Sequence, residues 1–158
     1  MRAMAMMRAV AMLMTPAAMV LMMAVSAAAQ STYDAALAAK LKADEYGMRT
    51  YVMAFLKAGP NRDRSREEAQ KLQAAHMANI NRLAADGKLV VAGPFADNGP
   101  LRGIYVFDVA TVAEAEALTK TDPAIQAGSL VMELHPWYGS AALMMVNDVH
   151  NRIEKKKP

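Results

Sequence analysis

The chain has 158 residues, 54% of them hydrophobic and 21% charged, with 15 methionines, no cysteine and a formal net charge of +3. The missing cysteine excludes a disulfide-stapled scaffold and a thiolate metal site. Nine of the 15 methionines lie between Met1 and Met23 and 24 of the first 29 residues are apolar, whereas residues 30–158 hold 62 apolar residues in 129, as an ordinary globular domain does.

Residues 1–29 have the pattern of a signal peptide. Arg2 and Arg8 give a positive start, Ala9 to Val25 is an uncharged run, and Ser26-Ala27-Ala28-Ala29-Gln30 supplies the small residues of a cleavage site. The run of 17 residues is at the short end of what spans roughly 30 Å of hydrocarbon, and Pro16 interrupts it. Cleavage after Ala29 is therefore expected, giving a periplasmic or secreted protein with no stable membrane anchor. The remaining 129 residues suit one domain and carry 16 basic against 15 acidic side chains. No basic stripe of the kind that tracks phosphates is present, so nucleic acid is not expected as a partner. Lys155-Lys156-Lys157 reads as a solvated terminus.

Residues 30–47 predict a helical extension, with Tyr33, Leu37 and Leu41 at i, i+4 spacing and Gly47 as the stop. Thr50 to Lys57 predicts a strand ended by Gly59-Pro60-Asn61, and Arg62 to Arg66 a polar loop. A long helix starts at Ser65, three residues before Glu68 as in a capping box, and its stripe Ala69, Leu72, His76, Ile80, Leu83 runs to a stop at Asp86-Gly87. Leu89 to Ala92 and Leu101 to Val109 predict a hairpin with a long loop. Thr111 to Lys120 predicts a second helix with Glu114 completing its capping box. Asp122-Pro123 restarts one helical turn that ends at Gly128. Leu130 to His135 predicts a fourth strand, Pro136 to Ser140 a connector, and Ala141 to Ile153 a helix. Residues 48–139 thus form the domain proper, and residues 140–158 a C-terminal helix with a basic tail.

The order strand, helix, strand, strand, helix, strand is that of a ferredoxin-like α+β sandwich. Strands one to three are apolar on both faces, which two helices on one side do not explain, so a second copy is expected on the other face in an isologous homodimer. Val131, Glu133 and His135 share one face of the fourth strand and predict a wet cavity beside it.

His76 is the residue out of place. It sits on an apolar helix stripe, where a buried imidazole without a partner costs about 1–3 kcal/mol. Asp122, in the loop after the second helix, is the candidate partner. A carboxylate on one ring nitrogen fixes the tautomer and raises the basicity of the other, which is acid/base machinery; no Ser or Cys stands in a nucleophile motif. A second reading stays open, in which Asp122 before Pro123 is a helix cap and His76 a satisfied core residue. His76, His135 and His150 have no metal-ligand spacing, so no metal or other cofactor is expected. Trp137 and Tyr138 suit either stacking on an aromatic ligand or covering an interface.

Taken together, Ala75-His76-Met77, the run Asp86 to Pro94, Gly103 to Phe107, Thr121-Asp122-Pro123, Gly128 and His135-Pro136-Trp137 resemble the YCII-related (YciI-like) family over about residues 49–139. The resemblance implies a ferredoxin-like fold paired into a dimeric α/β barrel and a pocket with a His-Asp dyad, mapping here onto His76 and Asp122 as catalytic residues. It implies a pocket wall at Gly93 and Pro94; Tyr105, His135 and Trp137 are expected to complete the binding residues for a small molecule. It also implies similarity to muconolactone isomerase-like and monooxygenase-like barrels that handle aromatic-derived compounds without a metal, and one branch carries a dehydrochlorinase-type lyase activity. The expected functions are thus a cofactor-independent lyase or isomerase of a small cyclic or aromatic compound, or a non-enzymatic dimer that binds a small ligand or serves in envelope stress. The export signal, the helical extension and the tail from Ser140 to Pro158 depart from the compact family pattern.

Overall fold

The computed structural model describes residues 32–97 and 99–156, so the signal peptide expected at residues 1–29 lies outside them. The chain divides into Met1–Tyr33 and a second unit, Asp34–Pro158, which carries the elements below.

A short helix α1 (Ala35–Leu41) leads into strand β1 (Met48–Ala58) and a long helix α2 (Arg66–Ala85). The hairpin β2 (Leu89–Pro94) and β3 (Leu101–Phe107) follows, then helix α3 (Val112–Thr119), the single turn α4 (Pro123–Gln126) and strand β4 (Leu130–Ser140). A 3₁₀ segment, Ala141–Met145, and helix α5 (Val146–Ile153) complete the unit. The strands form one antiparallel sheet in the order β2-β3-β1-β4, with β2 and β4 at its edges. This is the expected ferredoxin-like α+β topology.

Local sequence accounts for most of these boundaries. The Ser65 hydroxyl accepts from the Glu68 amide while the Glu68 carboxylate accepts from the Ser65 amide, and Thr111 and Glu114 repeat the arrangement at α3. Gly128, at φ +66°, ends α4 in the left-handed conformation that glycine adopts freely. Three boundaries differ from the expectation. Helix α1 stops at Leu41 because Lys42 takes the left-handed cap, and Gly47 belongs to the turn before β1. Strand β4 continues through Pro136 to Ser140, paired with β1 along its whole length, because a proline at a sheet edge removes no obligatory ladder bond. The C-terminal segment begins as a 3₁₀ turn before becoming α-helical.

The main core lies between the helices and one sheet face, where Val52, Ala54, Leu56, Tyr105 and Phe107 meet Leu83, Leu89 and Ala115. The opposite face carries a second cluster of Tyr51, Val90 and Val106, with Met53, Val91 and Trp137 around it. Leu143 and Met144 of the C-terminal segment pack on this second cluster. Part of the face for which a second copy is expected is thus covered by the segment after β4, which folds back over it. The Tyr51 hydroxyl donates to the Ser140 carbonyl at 3.0 Å, and the Ala141 amide to the Gly47 carbonyl at 2.9 Å, fixing the start of the returning segment.

Candidate active site

Helix α2 and the loop between α3 and α4 bring His76 and Asp122 together from 46 residues apart. His76 Nδ1 lies 2.8 Å and 3.0 Å from the two Asp122 carboxylate oxygens. Asp122 is fully buried and His76 nearly so, so the pair is shielded from water. The loop fixes the carboxylate for a reason independent of the histidine: Asp122 caps α4, with Oδ1 accepting from the Ala124 amide at 2.8 Å. Both readings of Asp122, as cap and as partner, are therefore satisfied by one side chain.

A carboxylate at Nδ1 selects the tautomer with the proton on that nitrogen, donated to Asp122, and makes Nε2 the acceptor of the Tyr105 hydroxyl. Beside Nε2 stands the Tyr105 hydroxyl, 3.4 Å away, with the two rings stacked at 6.4 Å between centroids. Burial holds the Tyr105 phenol well above its ordinary range, and the Asp122 charge adds to this, so the hydroxyl remains a donor at neutral pH. The Tyr105 ring is placed by an edge-on contact with Phe107 and by the cross-strand pairing of Tyr105 with Ala54.

His76 and Tyr105 line a cavity of about 640 Å³, a size suited to a small organic molecule. Leu56, Leu72, Ile80 and Leu89 supply apolar wall, and Gly93 and Pro94 of the edge strand supply another side. A Cβ built on Gly93 would meet nothing within 4 Å, whereas one on Gly103 would come within 2.5 Å of the Gly93 carbonyl oxygen. Gly103 is thus required for β2 to approach β3, while Gly93 has open space around it.

Four of the expected site residues, His76, Gly93, Pro94 and Tyr105, line this cavity, with Asp122 immediately behind His76. His135 and Trp137 do not. They sit across the sheet, where Trp137 covers Gly139 and lies tilted against Tyr51, with 5.9 Å between ring centroids. His135 Nε2 lies 2.8 Å from Glu133, which also pairs with Lys57. The assignment of both to the binding residues around His76 is corrected for a simple reason. His135 and Trp137 pair directly with Met53 and Tyr51, so they share the sheet face opposite to Val52, Ala54 and Tyr105. The polar groups of β4 pair with one another and do not line the cavity found.

Other lining residues were not singled out by the sequence. Arg62 and Arg64 come from the segment read as a polar loop, Arg102 from the start of β3, and Asn147 and His150 from α5. The signal available for the first two was positional: three arginines in five residues stand at the entrance of the helix that carries His76. Among the described residues, no three His, Asp, Glu or Cys side chains converge as a metal site.

Comparison with known proteins places the chain in a family. The chain is 29% identical over 90 residues to the uncharacterised protein YjpA of Bacillus subtilis (strain 168), a match covering 57% of this chain and 95% of that protein. A solved structure of 5-chloro-2-hydroxyhydroquinone dehydrochlorinase (TftG) from Burkholderia phenoliruptrix AC1100, in complex with 2,5-dihydroxybenzoquinone, superposes with a TM-score of 0.42 at 20% identity, covering 54% of this chain and 92% of that one. Residues 50–138, more than half the chain and all but the outer ends of the span from β1 to β4, match the YCII-related domain, and the protein belongs to that family.

Proposed function

We propose that this protein is an exported, cofactor-independent acid/base catalyst, of lyase or isomerase type, acting on a small cyclic or aromatic compound. The observation that carries the reading is the orientation of the dyad: Asp122 holds His76 by Nδ1, and Nε2 is left beside Tyr105 where both side chains line the cavity. In this reading His76 Nε2 removes a proton from a bound ring, the Asp122 carboxylate stabilises the imidazolium that forms, and the Tyr105 hydroxyl donates to the oxygen on which charge develops. Abstraction of a ring proton followed by its return elsewhere is an isomerisation; abstraction followed by loss of a leaving group is an elimination.

Proton abstraction can be followed without knowing the physiological substrate. A panel of cyclic hydroxyketones and phenols incubated in deuterated buffer should exchange ring protons faster with the protein than without it, as read by proton NMR. His76→Ala should abolish the acceleration. Unchanged exchange by that variant would overturn the catalytic role.

A second reading has its own observation. The Asp122 carboxylate satisfies the Ala124 amide and His76 together in a fully buried position, as a structural pair would. The protein would then be a non-enzymatic dimer that binds a small ligand or serves in envelope stress. Export rests on the pattern of residues 1–29. The homodimer is supported by Phe55, Ile104 and Val131, which lie on the second sheet face beyond the reach of the returning segment, Val131 being 43% exposed.

A further inference from the structure

We propose that the cavity selects a ring compound carrying an anionic group, a carboxylate or a phenolate, and that Arg62, Arg64 and Arg102 confer this selectivity. The proposal rests on reading the cavity as the substrate site and adds the charge class of what enters it.

The case is one of unbalanced charge. Three arginines line the cavity together with His76 and His150, and no aspartate or glutamate does. Of the carboxylates around it, Asp122 is buried behind His76, Asp86 pairs with Arg82, Asp108 with Arg49, Glu154 lies 3.7 Å from His150, and Asp63, between Arg62 and Arg64 in sequence, is outside the cavity lining. Among the described residues none of Arg62, Arg64 and Arg102 is in an ion pair. Glu68 feels the Arg64 charge, but its carboxylate already accepts from the Ser65 amide and hydroxyl.

Arg64 is also oriented. Its guanidinium donates to the Asn61 and Ala127 carbonyls, the latter at 2.6 Å, which holds the group half-buried without neutralising it. A fixed cation with donors to spare recognises a planar carboxylate better than a mobile lysine does. The apolar walls of Leu56, Leu72, Ile80 and Leu89 lower the local dielectric and strengthen the field that the arginines place on a ligand. A positive cavity also suits a proton abstraction at His76, because the product of that step is an anion.

The test measures binding of benzoate, 4-nitrophenolate and the neutral benzamide to the protein by calorimetric titration at low and high salt. At least one of the two anions should bind about tenfold more tightly than benzamide, and its advantage should shrink as salt rises. Preference for benzoate alone identifies a carboxylate carried by the substrate, and preference for 4-nitrophenolate alone a phenolate. The double variant Arg62→Gln/Arg102→Gln, which leaves Arg64 and its backbone hydrogen bonds in place, should reduce the advantage severalfold, and Arg62→Lys/Arg102→Lys should retain it; the pair separates lost charge from lost structure. Benzamide binding as tightly as both anions, or no binding by either anion, would overturn the proposal. His76→Gln distinguishes this from the catalytic reading. If it keeps the anion preference and still exchanges ring protons, only the catalytic role of His76 fails. If the exchange needs His76 but no anion preference exists, only the present assignment fails.

Discussion

His76 stands where a helix stripe calls for an aliphatic side chain, and the fold tolerates it because Asp122 is delivered to its Nδ1 from the loop after α3. Since Asp122 also caps α4, its two oxygens are held by backbone geometry before the histidine is considered. Asp122→Asn keeps the cap but offers an amide where a carboxylate selected the tautomer. Ring-proton exchange should fall by about 10³ while the folded structure survives, as judged by circular dichroism. Tyr105 gives a stability prediction. Burial raises its pKa in the folded protein, as it does that of Tyr51, so the folded state holds its phenolic protons above pH 10 where the unfolded chain releases them. Stability should therefore decline as pH rises past 10, and Tyr105→Phe should flatten that decline in denaturant titrations. The pair was legible because a polar residue on an apolar stripe demands a partner, Asp122 sat at a loop beside that helix, and the family resemblance pointed to the same two residues. The arginines of the cavity were not, because a charged loop reads as solvated unless the fold shows what it borders.

At the scale of elements, the capping boxes were legible since each requires only four residues in sequence, and both formed. Ser65→Ala and Thr111→Ala should each lower stability by about 1 kcal/mol in urea unfolding. The same hydroxyls and amides hold the Glu68 and Glu114 carboxyls below their ordinary value of 4.5. Their folded pKa values are depressed, so their contribution is present above pH 4.5 and is lost as the pH falls through the lower folded values. Each alanine variant should accordingly lose less stability than the native protein on acidification from pH 6 to pH 3. Strand β4 shows where sequence reading fails. Pro136 and Gly139 look like breakers, yet an edge position excuses the proline, and the glycine is required by the Trp137 ring, which a Cβ would approach to 2.3 Å. Packing between residues two apart on a strand is invisible to a turn rule. Gly59 provides a sharper contrast with Gly93: a Cβ there would lie 2.2 Å from the Gly128 carbonyl, against open space at Gly93. Gly59→Ala should destabilise strongly in thermal melts, and Gly93→Ala should leave the melting temperature nearly unchanged.

For the whole molecule, the alternation of strands and helices was sufficient to give the ferredoxin-like topology, because six elements in that order admit few ways of burying one sheet face. What covers the second face was not readable, since residues 140–153 give no sign of where they return. They fold over Tyr51, Val90 and Val106 and contribute Val146, Asn147 and His150 to the cavity, joined by the Asn147 side chain donating to the Leu89 carbonyl at 2.8 Å. The strip from Phe55 to Val131 is the surface on which the proposed second copy would sit. Light scattering after size-exclusion chromatography should give twice the chain mass, and Phe55→Glu, which places a charge at the centre of that strip, should give a monomer. A monomeric native protein would remove the dimer from the account.

The central claim is that His76 works as a base and does not merely fill its place. The most direct measurement compares native protein and His76→Gln for ring-proton exchange and melting temperature in the same preparation. Glutamine retains a donor for the buried Asp122 carboxylate, so stability should change little, while loss of the basic Nε2 should reduce exchange at least a hundredfold. A melting temperature that collapses while the folded fraction exchanges at the native rate would contradict the claim and leave His76 and Asp122 as a structural pair.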